Sequence, residues 1–302
     1  MEVLGRLLGL LVLLAVGTGL RSVGVLNEVR TQRLNALAYY VALPALVFVS
    51  TYDRTIGELL TPALLIGPIV VLLGIAGLAW VIHRGRTSRD RRSVAIVQSY
   101  HSNLGYLGLP LVAATFGDDV TALASVILGV ASLTQVPLTV LVLTSGGEFG
   151  GSVWSELSQL ARNPVLVVLV LGLTVGSLGA SPPGVITAGL ELLGTLALPI
   201  ALLCVGATLQ IDLPDVDVGA SAAVVALKIG VMPVLAWTVF SLFEVSPAVF
   251  TAAVVMLGTP TAVSTYVFAS ELGGDPEFAS LNVFLTTLGS VATLFVLIRV
   301  VI

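Results

Sequence analysis

Apolar residues run along this chain in long blocks, each closed by glycine, proline or charge. Taken as helical spans, the blocks number ten, over roughly 3–21, 34–52, 60–83, 92–117, 120–144, 164–181, 185–209, 217–243, 247–271 and 277–301. A hydrocarbon layer about 30 Å thick needs about 20 residues of α-helix, and most blocks supply that length. The pattern predicts an all-α integral membrane protein of ten transmembrane helices. Block 3–21 also has the length of a secretory leader. Its head carries Glu2 as well as Arg6 and no small-x-small cleavage site follows cleanly, so it reads as a retained first helix.

Composition narrows the class. The 302 residues are 57% hydrophobic and only 10% charged, where soluble domains average about 25% charged. Ten helices with short loops use up that length, which leaves no room for an extramembrane domain. A net charge of −4 argues against nucleic-acid partners. The one cysteine, Cys204, lies in an apolar run, and His83 and His101 are far apart, so no disulfide framework, metal or cofactor is expected. P-loop and metalloprotease motifs are absent. Tyr52-Asp53 hints at an intramembrane aspartyl protease, but no Gly-x-Gly-Asp partner follows and Asp53 lies at a span end. The chain is not expected to be an enzyme.

Arginines set the orientation. Loop 84–92 holds Arg84, Arg86, Arg89, Arg91 and Arg92 against Asp90, and loop 21–33 holds Arg21, Arg30 and Arg33 against Glu28. Both fall on the cytoplasmic side of a cell membrane when the N-terminus is outside, so both termini are expected outside. Asp212, Asp215, Asp217, Asp275 and Glu277 stand in inside loops of the second half, but acidic residues weigh little in that rule.

The two halves echo each other. Leu43-Pro44-Ala45 returns 155 residues later as Leu198-Pro199-Ile200, and Ala113 with Gly117–Asp119 returns 156 residues later as Ala269 with Gly273–Asp275. Five spans per half make the second copy enter from the opposite side. Residues 1–144 and 164–302 therefore form two inverted five-helix repeats, with 145–163, containing Trp154, Glu156 and Arg162, as an interfacial connector. Inverted repeats recur among secondary transporters.

Chemistry concentrates in span four, at Ser99-Tyr100-His101-Ser102-Asn103-Leu104-Gly105-Tyr106-Leu107-Gly108-Leu109-Pro110. Gly105, Gly108 and Pro110 weaken a helix, while Ser102, Asn103 and Tyr106 can satisfy the backbone groups a break frees. Span nine has Thr259-Pro260-Thr261 and Ser264-Thr265-Tyr266 at matching depth, with Asn103 aligned on Thr259. Irregular backbone at that depth survives only where protein or a water-filled cavity covers it, and a matched pair of breaks points to a midplane site. Two crossing breaks offer half-helix N-termini to a carboxylate without an arginine in the bilayer. Asn103, Thr259, Thr261 and Ser264 would add neutral hydrogen bonds. Ordinary proline kinks are the competing explanation.

Asn103-Leu-Gly-Tyr-Leu-Gly-Leu-Pro110-Leu resembles the fourth-helix crossover of the auxin efflux carrier family. Val267-Phe268-Ala269-Ser270-Glu271 resembles the stretch after its ninth-helix crossover, and Asn35 through Leu43-Pro44-Ala45-Leu46-Val47-Phe48 its second helix. The resemblance implies crossing broken helices 4 and 9 in a fold of the NhaA and bile-acid-transporter type. It also implies a scaffold of helices 1, 2, 6 and 7, a transport unit of helices 3–5 and 8–10, a homodimer, and elevator-type transport of auxin or small carboxylates. On that likeness Asn103 binds the carboxylate and Gln135 lies near a supporting site. The plant members carry an Asp and a Lys in helix three, whereas span three here holds no ionisable residue before His83, and Pro260 stands a few residues early.

Among ionisable residues, Lys228 sits mid-span, where a charge costs about 3 kcal/mol or more, which makes it a coupling or substrate candidate or one half of a pair with Glu191. His101 borders the break and is either a proton carrier or held by a local hydrogen bond. Glu271 reads as interfacial, and Asp118, Asp119 and Asp275 as solvated turn residues. A secondary carrier of small organic anions leads; an anion channel of the same architecture or a membrane sensor are the other classes.

Overall fold

In a computed structural model, residues 2–85, 88–145, 158, 160–208 and 217–302 are described, with side chains of the first helix from Val12 onward. Most of the expected connector, including Trp154 and Glu156, and the loop with Asp212 and Asp215 lie outside the described residues. The described chain is helical, in the order α1 Glu2–Ser22, α2 Glu28–Thr51, α3 Ile56–Leu59, α4 Pro62–His83, α5 Arg89–Tyr100, α6 Leu104–Phe116, α7 Asp118–Thr144, α8 Pro164–Ser177, α9 Gly184–Thr208, α10 Val218–Leu242, α11 Pro247–Leu257, α12 Ser264–Glu271 and α13 Pro276–Val301. Among them α2, α4, α7, α9, α10 and α13 are long and apolar enough to cross a membrane.

Capping explains the sharp ends. Thr61, Asn163, Asp217, Ser246 and Asp275 each accept a backbone N–H in the first turn of the helix they precede. Pro62, Pro164, Pro247 and Pro276 stand at those starts, where a missing N–H costs nothing. Inside helices proline acts differently. Pro44, Pro110 and Pro233 each follow a π-helical turn, at 38–42, 104–108 and 226–231. A proline ring collides with the carbonyl four residues back, and the wider i→i+5 turn moves that carbonyl aside. The N–H groups of Leu43, Leu109 and Met232 accordingly donate to Ala38, Leu104 and Leu227.

The helices pack in two groups. Helices α1, α2, α8 and α9 lie against one another, and α4, α5, α7, α10, α11 and α13 form the other group. The α1–α9 contact is close because it runs through glycine: a Cβ on Gly17 would strike the Leu203 carbonyl, and one on Gly206 that of Leu14. Small residues give this backbone approach where lipid removes the hydrophobic drive between helices. Thr18 Oγ1 donates to the Gly206 carbonyl there at 2.8 Å. The groups meet where α7 lies on α2 and α8, α13 on α1, and α6 on α9.

Candidate functional site

Spans four and nine are each interrupted, and the interruptions touch. Between α5 and α6 the chain is non-helical at His101–Asn103; between α11 and α12 it is so at Gly258–Val263. The two segments run antiparallel, bridging Ser102 to Thr261. Asn103 N–H donates to the Pro260 carbonyl at 2.9 Å, and Ala262 N–H to the His101 carbonyl at 3.0 Å. Each break thus uses the other's backbone to satisfy groups that bilayer burial would leave unpaired.

The extent of the breaks differs from the expectation. Gly105, Gly108 and Pro110 belong to the first turns of α6, and Ser264 and Thr265 to α12. Pro110 weakens only the α-helical register, which the π turn absorbs. Gly108 is required by the crossing itself, since a Cβ there would lie 2.9 Å from Met256 Sδ and 3.2 Å from Thr259 Cγ2. At the α12 start, Thr265 and Tyr266 N–H donate to Ala262 and Val263 carbonyls, so that end is largely closed. At the α6 start, which no helical turn precedes, Leu104 N–H donates to the Ser102 carbonyl and Gly108 N–H to the Asn103 carbonyl.

Side chains complete the satisfaction of the breaks. Gln135 Oε1 accepts from Ser102 N–H at 3.0 Å while its Nε2 donates to the Ser102 carbonyl at 3.2 Å. Thr261 Oγ1 donates to the Gln98 carbonyl, and Thr261 N–H donates to Thr286 Oγ1. Buried Gln98 donates to Thr265 Oγ1 and the Ala279 carbonyl and accepts from Asn282. Thr259 is spent on the Met256 carbonyl, and Ser264 is exposed. Tyr106 turns toward Ala38, Ile200 and Cys204 of α2 and α9.

Asn103 opens onto a cleft between the two helix groups. Leu14 of α1 with Leu202 and Val205 of α9 form one wall; Asn103 and Leu107, with Thr287, Ser290, Val291 and Leu294 of α13, form the other. It encloses about 20 Å³, room for one water molecule. Thr287 Oγ1 is buried without a hydrogen-bond partner. A larger hollow of about 620 Å³ lies elsewhere, lined by Arg54, Glu58, Asp119 and Glu244. Its acids outnumber its arginine, which already pairs with Asp119, so it does not suit an anion.

These features meet in a family of known role. The membrane transport protein family matches residues 2–150 and 151–298. The chain belongs to that family, the auxin efflux carriers. An "Uncharacterized transporter" of Methanothermobacter thermautotrophicus is 25% identical over 95% of this chain and 94% of its own length. A "Putative malonate transporter" of Rhizobium meliloti is 27% identical over 86% and 83%. An "Uncharacterized transporter" of Methanocaldococcus jannaschii is 25% identical over 92% of each.

In this auxin efflux carrier family member, Lys228 is fully buried in the π turn of α10 and donates to Ser102 Oγ, with Met232 Sδ at 2.9 Å. The expected pair with Glu191 is not made. Glu191 is exposed on α9, in a segment packed chiefly on α2, so a charge there keeps its hydration and has no reason to reach inward. His101 is buried, with Nδ1 2.8 Å from Thr139 Oγ1, which also contacts Tyr100. Glu271, Asp118 and Asp119 are exposed, whereas Asp275 caps α13 and pairs with Arg91 at 2.7 Å. Gln98, Asn282, Thr286 and Thr287 did not stand out among the motifs; their signal was amide and hydroxyl side chains inside apolar spans.

Proposed function

We propose that this chain is a secondary carrier of small carboxylates that binds its cargo at Asn103 and moves it by an elevator-type cycle. The observation that carries the reading is the cleft at the crossover. There the carboxamide of Asn103, which directly precedes α6, and an unpartnered Thr287 hydroxyl line one cleft between two separately packed groups of helices. A helix start and neutral donors favour an anion without requiring a buried arginine. One water's volume is too small for a carboxylate, so loading requires the wall of Leu14, Leu202 and Val205 to part from α6 and α13. The name of the Rhizobium relative supports malonate as the first probe.

The same reading takes α1, α2, α8 and α9 as scaffold and the remaining long helices, with the broken pair, as the moving unit. It further takes ten spans in two inverted halves, both termini outside, and a homodimer held in the cell membrane. The arginines of loop 84–92 support that orientation.

Uptake of labelled mono- and dicarboxylates into proteoliposomes tests the function. The expected result is saturable uptake of at least one small carboxylate at carrier turnover. Unsaturable flux accompanied by large currents would assign the chain to channels instead.

A further inference from the structure

Among the described residues, no aspartate or glutamate is buried, yet one lysine is wholly so. Lys228 reaches only neutral partners, the Ser102 hydroxyl and the Met232 thioether. A lone ammonium in such a place lacks the paired acid that buried charges ordinarily require. Helices α4, α5 and α13 and the rest of α10 surround its turn. The ionisable groups they bring are His83 at the end of α4, Arg89, Asp90, Arg91 and Arg92 at the far start of α5, and Glu277 and Arg299 at the two ends of α13. Only Tyr100 and His101 lie at the depth of the break, and neither is an acid that could balance the lysine. Among the described residues, none supplies a negative charge at that depth. Ser102 immediately precedes Asn103 and takes the Lys228 hydrogen bond, so an anion at Asn103 would lie within roughly 15 Å of Nζ, given a Cα spacing of about 3.8 Å per residue plus the two side chains and a hydrogen bond.

The partner's chemistry fits two protonation states. A serine hydroxyl accepts from an ammonium and donates to an amine. Ser102 Oγ also lies 3.4 Å from the Tyr100 carbonyl, to which it can donate while it accepts from the ammonium. Resting on the carrier reading above, we propose that Lys228 is the proton site of this carrier: it is an amine when the crossover is empty and an ammonium when a carboxylate occupies Asn103. One proton then travels with each anion. It is taken from water on the loading side as the anion binds, stays on Nζ through the transit, and returns to water on the release side; only the N–H bond is made and broken.

Purified protein in weakly buffered detergent solution with a pH-reporting dye tests this, with malonate and propionate as probes and binding followed separately by calorimetry. Native protein is expected to take up about one proton per anion bound, as linkage between the two sites requires. Lys228→Arg, whose charge is permanent, and Lys228→Met are expected to show no uptake. Binding without proton uptake in native protein would overturn the proposal alone, as would uptake retained in a folded Lys228→Met. If no carboxylate of a wider panel binds at all, the carrier reading falls and this proposal with it. Native proteoliposomes give a readout free of variants: an inward proton gradient is expected to speed uptake several-fold, and indifference to that gradient contradicts the proposal.

Discussion

At the residue scale, the side chains at the crossover divide by what they are spent on. Gln135 holds both backbone groups of Ser102, and Gln98 ties α5 to α12 and α13. Their loss should appear as instability. Gln135→Leu is expected to cost about 1–3 kcal/mol, the usual penalty for stranding buried polar groups, measured by thermal unfolding in detergent. Thr287 has no hydrogen-bond partner to lose. Thr287→Val should therefore leave the melting temperature within error and weaken carboxylate binding about 3- to 10-fold, the worth of one hydrogen bond, by titration calorimetry. An unchanged affinity in that variant would remove Thr287 from the cargo site.

At the element scale, the crossing was legible in part. Gly105, Gly108 and Pro110 mark where span four changes, but they lie just past the break rather than in it. The π turn ahead of Pro110 keeps a helix where proline alone argues for its end. Which backbone groups pair across the two breaks depends on how the segments meet in space, which spacing along one chain does not encode. The Lys228–Glu191 pair failed for the same reason, because facing is set by tertiary packing. Gly108 was informative for a reason visible only in the fold, namely contact with Met256 and Thr259. Gly108→Leu is expected to force the crossing apart, abolishing uptake together with a marked fall in melting temperature. Retained uptake with native stability would mean the two breaks can separate without harm.

At the scale of the whole molecule, apolar blocks and charge made the all-helical membrane class plain from composition, and the broken helices placed the chain in its family. The division into two helix groups was not readable from composition, since both groups are built of the same apolar residues. It has a mechanical consequence for the proposed carrier. In a Cys204→Ala background, a short thiol crosslinker joining Leu107→Cys of α6 to Val205→Cys of α9 is expected to arrest transport until cleaved. Both positions line the same cleft from opposite groups. Joining Leu14→Cys to Val205→Cys, within one group, should leave transport largely intact. Equal sensitivity of the two pairs would count against movement of one group past the other. The most direct test of the central claim, that the crossover at Asn103 carries a carboxylate, is counterflow of labelled malonate in proteoliposomes. Native protein is predicted to show counterflow, and Asn103→Ala, reconstituted to the same folded level, to fall at least about tenfold, since one charge-assisted hydrogen bond is worth about 1.5–3 kcal/mol. Undiminished counterflow in Asn103→Ala would contradict the account.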